Sequence, residues 1–209
     1  MRAIPILAAL LALVALSGCA ITAESVWAPD AEVQRYAYSN NEPPSVTLYT
    51  VINNRTGEGG HTAVMINGAQ RVMWDPAGTW WNPASPERND VHYGITPRME
   101  EIYVDYHARE SWRVVVQEVP VSRATADGLI AAFEANGAAG KGTCALATTR
   151  IMSQFPEFRD MKVTWFPKRL MAYFDGLPGL KKSVVYDDDD DNNQPLLRQQ
   201  VTAGKSGQI

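Results

Sequence analysis

Cys144 is the residue best placed to do chemistry in this sequence. It follows Gly140-Lys141-Gly142-Thr143 and opens a segment with helical periodicity. Thr143 suits an N-cap, so Cys144 falls in the first helical turn. Backbone N–H groups are unpaired there and the helix dipole is positive, and both favour thiolate over thiol. Positions 144, 148, 151 and 155 share one helical face, which directs the sulfur toward whatever the helix covers. A thiolate nucleophile needs a base within hydrogen-bond reach, and the base needs an orienting group. Of the three histidines, His92 lies in a long loop and His107 near a helix end beside Asp105, the usual setting of a surface pair. His61 opens a strand directly after Gly59-Gly60 and is the expected base. Asp75 ends the next strand. A three-residue hairpin loop would set His61 and Asp75 opposite one another on one face, whereas two or four residues would set them on opposite sides. A small buried filler is the other role open to Cys144, and a satisfied structural histidine the other role open to His61.

The elements that position these residues read as follows. Residues 45–53 (SVTLYTVIN) form a strand rich in β-branched and aromatic side chains, and 54–60 a glycine-containing loop. Residues 61–66 and 71–74 are strands flanking the turn signal Asn67-Gly68. Both are apolar on both faces apart from His61 and Thr62, which predicts a central place in a sheet. Residues 79–94 form a long loop carrying Trp80 and Trp81, which either pack or flank a cleft or membrane. Thr96-Pro97 starts a helix to about Arg109; residues 112–121 are a strand. Helices are expected over 122–136 and 143–155, with a short one over 169–174. The fold class is α+β, a mainly antiparallel sheet packed by helices over residues 45–180.

The N-terminus carries a different signal. Met-Arg, an apolar run from Ala3 to Leu16 and then Ser17-Gly18-Cys19 describe a secretory signal over 1–18, too short to span a bilayer well. Leu16-Ser17-Gly18-Cys19 resembles a lipobox. That resemblance implies cleavage before Cys19, a diacylglyceryl thioether on it and a further acyl chain such as palmitate, together enough for stable anchoring. Ala20, where enterobacteria use Asp for inner-membrane retention, points to an outer-membrane lipoprotein of a Gram-negative bacterium. Residues 19–44 then read as a tether. With Cys19 lipidated, Cys144 has no intramolecular partner. The run Asp187–Asp191 marks 181–209 as an acidic, disordered tail, without the ligand spacing of a calcium loop. The formal net charge of −4 with no basic block disfavours nucleic acid as a partner. His61, His92 and His107 lack metal-ligand spacing, so neither metal nor cofactor is expected.

Three motifs, His61-Thr62-Ala63-Val64-Met65-Ile66, Trp74-Asp75-Pro76-Ala77-Gly78 and Gly142-Thr143-Cys144-Ala145, together resemble the circularly permuted, papain-like branch of the NlpC superfamily. That branch includes lecithin:retinol acyltransferase-like proteins and small bacterial lipoproteins. The likeness covers roughly residues 45–175. It implies Cys144 as nucleophile, His61 as general base and acid, and Asp75 as the orienting group where several relatives carry His or Glu. The implied reaction is acyl transfer or hydrolysis through a thioester, on a cell-wall peptide or a lipid. The alternative is a non-catalytic envelope lipoprotein that binds a partner through the same fold.

Overall fold

A computed structural model describes residues 23–209. The expected signal peptide and the lipidation site Cys19 lie outside the described residues. The strands are β1 (Ser45–Asn53), β2 (Gly59–Asn67), β3 (Arg71–Trp74), β4 (Glu87–Arg88), β5 (Val91–His92), β6 (Trp112–Pro120) and β7 (Lys181–Val185). The helices are α1 (Asp30–Tyr36), α2 (Pro97–His107), α3 (Arg123–Ala135), α4 (Cys144–Met152), α5 (Pro167–Phe174) and α6 (Gln194–Lys205), with a 3₁₀ turn at Pro156–Phe158. All seven strands join one antiparallel sheet in the order β4-β5-β3-β2-β1-β6-β7. The α+β expectation therefore holds, and β2 is central.

The sheet is covered on both faces, which is why its inner strands are apolar without alternation. Val46, Leu48, Val64, Ile66, Val72 and Trp74 face one core with residues of α3, α4 and α5. There Trp74 stacks on Phe133 at 4.7 Å and donates its indole N–H to Thr148 Oγ1 at 3.0 Å. Tyr49, Val51, Ala63, Met65 and Met73 face a second core with residues of α2 and α6. Two helix starts follow their caps as the sequence predicts. Thr96 Oγ1 accepts from the Met99 N–H and Ser122 Oγ from the Thr125 N–H.

Two expectations fail. The 19–44 stretch is not a plain tether: Trp27 bridges to Arg88, and α1 buries Val33 in the first core. Nor is 181–209 a disordered tail. β7 pairs with β6, and α6 sets Leu197 and Val201 into the second core. The carboxylate run is tied down rather than repelled. Asp189 accepts from Arg109 Nη1 at 3.1 Å, and Asp191 from the Ser111 N–H at 2.9 Å. Trp80 likewise is buried, its indole N–H donating to Gln200 of α6, so only Trp81 of that pair is exposed. The 79–94 loop contains the short strands β4 and β5. No helix among the described residues is long and apolar enough to cross a membrane.

Candidate functional site

The β2–β3 hairpin fixes the first pair. Asn67 faces Arg71, which leaves a three-residue connection, Gly68–Gln70. His61 and Asp75 therefore share a face, as the three-residue case requires. They are not directly opposite, however. Met65 faces Met73 and Val64 faces Trp74, so Asp75 falls just past the last ladder pair and reaches His61 on the diagonal. His61 Nε2 meets Asp75 Oδ1 at 2.6 Å. A bulge helps this reach: Val51 faces His61 while Ile52 faces Gly59, so Gly60 is the extra residue. No side chain fits at Gly60, where a Cβ would lie 2.6 Å from the Trp112 ring.

Asp75 is 2% exposed. Its Oδ1 also accepts from the Tyr103 hydroxyl at 2.8 Å, and its main-chain N–H donates to the Asp90 carbonyl. Burial pushes its carboxyl upward, but the charge and hydrogen bond of His61 outweigh this and hold it far below the usual range. Gly78 closes the turn against the same carboxylate, since a Cβ there would sit 1.9 Å from Oδ2.

Cys144 is the first residue of α4 and is 6% exposed. Thr143 occupies the cap position, but its hydroxyl donates back to the Gly140 carbonyl at 2.6 Å and does not cap the helix. The helical face carrying Cys144, Thr148 and Ile151 is buried against the sheet, as its periodicity predicts. Cys144 and His61 lie close enough to shift one another's titration. Burial alone would lower the His61 imidazole; Asp75 and Cys144 reverse this and raise it to about 10. Burial alone would raise the thiol; His61 and the backbone N–H groups of Thr62 and Ala145 bring it below its ordinary value. With Nε2 committed to Asp75, Nδ1 is the nitrogen left to serve the sulfur.

Three residues of the site escape sequence reasoning. The sequence places His107 in a surface pair with Asp105. Its ring instead stacks on His61 at 5.7 Å between centroids and 9° between planes. Its Nδ1 lies 2.9 Å from the Tyr103 carbonyl, so Nδ1 carries the proton. Burial holds this imidazole down at about 4, and it stays neutral beside its charged neighbour. Tyr103 comes from the same helix. Asp90 is the third: its Oδ2 accepts from the Ala77 and Ala139 N–H groups at 3.2 and 2.7 Å, tying the turn after Asp75 to the loop before Cys144. His92 is buried in β5 with its ring against Trp80 at 5.1 Å and belongs to the packing behind the site. A cavity of about 220 Å³, lined among others by Gly60, His61, Tyr106, His107 and Trp112, opens on the imidazole side. Among known proteins, no family model, no curated protein and no solved structure matches the chain.

Proposed function

We propose that this chain is a cysteine-dependent hydrolase or acyltransferase of the circularly permuted papain-like kind, working as an outer-membrane lipoprotein anchored through Cys19. The observation that carries the reading is the His61–Asp75 pair, Nε2 to Oδ1 at 2.6 Å with the carboxylate buried, beside a Cys144 at the start of α4 whose titration His61 lowers. Nucleophile, base and orienting group come from α4, β2 and the end of β3, in the chain order the family likeness implies.

The chemistry runs in two halves. The Cys144 thiolate attacks an acyl carbon, and the oxyanion that forms lies near the unpaired N–H groups of the first turn of α4. Such a donor contributes roughly 10²–10³ in rate. Collapse to the thioester expels an amine or alcohol, which takes its proton from the His61 imidazolium. In the second half water or an acceptor hydroxyl gives its proton to His61, attacks the thioester and releases Cys144 as thiolate. Asp75 keeps the ring in place and stabilises its charge throughout. The reaction needs no cofactor. Anchoring in the envelope brings cell-wall peptides and lipid esters within reach, and these are the proposed substrate classes.

The test is alkylation by iodoacetamide across pH, followed by incubation with cell-wall peptides and acyl esters. The reading expects a thiol with an apparent pKa well below about 8.5. It also expects an acyl adduct on Cys144, seen by mass spectrometry and missing in Cys144→Ala. A thiol that titrates normally and traps no acyl group would leave the second reading, a non-catalytic lipoprotein that binds a partner. The exposed Val163, Trp165 and Phe166 beside α5 favour that reading, since they offer apolar contact surface.

A further inference from the structure

His61, Asp75 and His107 each present a donor atom, and these atoms lie within 4.8 Å of one another. Donors on a tetrahedral zinc ion, bound at about 2.0–2.1 Å, sit roughly 3.3 Å apart. A small side-chain adjustment would therefore bring all three onto one ion. Three further features suit a metal. His107 Nδ1–H donates to the Tyr103 carbonyl, the outer hydrogen bond that fixes a ligating imidazole and leaves its other nitrogen free. Asp75 Oδ2 is buried with no hydrogen-bond partner, so the carboxylate has a spare ligand atom. The 220 Å³ cavity lined by His61 and His107 supplies an entry path and room for a solvent ligand.

We infer that His61, Asp75 and His107 form a site for a divalent transition-metal ion of the zinc class, and that filling it shuts down the thiol chemistry. Two imidazoles and one carboxylate suit zinc or cobalt and suit calcium poorly, which takes only oxygen ligands. The ion would displace the proton shared by His61 Nε2 and Asp75. An imidazole bound through Nε2 can still donate from Nδ1 to the sulfur, but it can no longer pass a proton to a leaving group and recover it. Binding stands on the geometry alone; the inhibitory consequence rests on the proposed thiol activity. The sequence gives no hint of this set, because His107 reaches His61 through the packing of α2 on the sheet and not through ligand spacing.

The site can be tested without activity, by titrating Co²⁺ and then Zn²⁺ into the Cys144→Ala chain. The expected result is one ion per chain, with the visible absorption of nitrogen and oxygen ligation, and displacement of Co²⁺ by Zn²⁺. His107→Phe keeps a ring on His61 but removes the donor, and should weaken binding at least about 100-fold because each ligand carries a large share of the binding free energy. His107→Gln serves as a second variant if the first does not fold by circular dichroism. No binding by Cys144→Ala at millimolar metal overturns the inference. So does equal binding after either His107 change, or, in a parallel titration of the wild-type chain, tight binding with thiolate charge transfer that Cys144→Ala loses. In the wild-type chain Zn²⁺ should abolish acyl-adduct formation and a chelator should restore it. Metal binding without this effect would remove the inhibitory half alone.

Discussion

Replacing Cys144 by alanine should change how stability depends on pH, and the size follows from proton counting. The folded imidazole of His61 titrates at about 10 against an ordinary 6.5. A raised value of this kind stabilises fully below pH 6.5 and is lost as pH climbs toward 10. The Cys144 thiol is lowered from 9.0, so its contribution is present above 9.0 and fades as pH falls. On the proposed ion-pair reading the folded thiol is ionised between these limits, so the unfolded chain holds one proton, on the thiol, and the folded chain one, on the imidazole. The two slopes cancel. His107, held down at about 4, is neutral in both states above pH 7 and adds nothing. In Cys144→Ala the unfolded chain holds no proton at this site while the folded one still holds one, kept on His61 by Asp75. Stability should then fall by about 1.4 kcal/mol per pH unit, or about 2 kcal/mol from pH 7 to 8.5. For a chain of this size that is roughly 4–8 °C in Tm. Urea or thermal melts of both chains at matched pH give the difference, in which other titrating groups cancel. The double variant Cys144→Ala, His61→Gln should restore the wild-type slope. Parallel pH profiles for the wild-type and Cys144→Ala chains would refute the ion-pair reasoning.

Asp75→Asn removes the charge that keeps His61 protonated, so the thiol should return to an ordinary titration. A thiol of pKa about 8.5 is only about 3% ionised at pH 7, so iodoacetamide should react roughly 30-fold more slowly than with a fully formed thiolate. Gly78→Ala would set a methyl 1.9 Å from Asp75 Oδ2 and force the carboxylate aside; melts should show a loss of about 1–3 kcal/mol, with slowed Cys144 alkylation. Deleting residues 194–209 strips Leu197 and Val201 from the second core and leaves the Trp80 indole without its Gln200 partner. A loss of several kcal/mol is expected from two buried aliphatic side chains and an unpaired donor, whereas a disordered tail would come off without changing the melt.

The legible part of this fold was local. β1 and β3 match their sequence limits because β-branched runs end at turn signals, and α2 and α3 start at Thr96 and Ser122 because those hydroxyls cap. His61, Asp75 and Cys144 could be found because each stands beside a local signal: a glycine loop, a turn and a helix start. Tyr103 and His107 could not, since they reach the site only through the angle at which α2 crosses the sheet. Asp90 joins two loops that periodicity does not describe. The C-terminal segment is not legible locally, because five adjacent carboxylates argue for repulsion while the cation that draws them in, Arg109, lies far back in the chain. No local pattern announces such a pairing.

The position of the site in the sheet carries a consequence of its own. α4 covers the face of Val64 and Trp74, yet His61 and Asp75 share the parity of Ala63 and Met73 on the other face. Thiol and imidazole therefore meet around the end of β2, where the Gly60 bulge lets the strand yield. The Thr62 N–H, the main-chain group beside His61, helps to lower the Cys144 thiol. One half of the site is set by the first core and the other half by the second. From α6 a line of contacts runs through Gln200, whose amide donates to the Ile102 carbonyl, into α2 and from there through Tyr103 to Asp75. The C-terminal helix thus reaches, through contacts of α2, the carboxylate that holds His61. Cavity-forming changes in α6 such as Leu197→Ala should slow Cys144 alkylation as well as lower stability. A Leu197→Ala chain that melts lower but alkylates at the wild-type rate would refute this route.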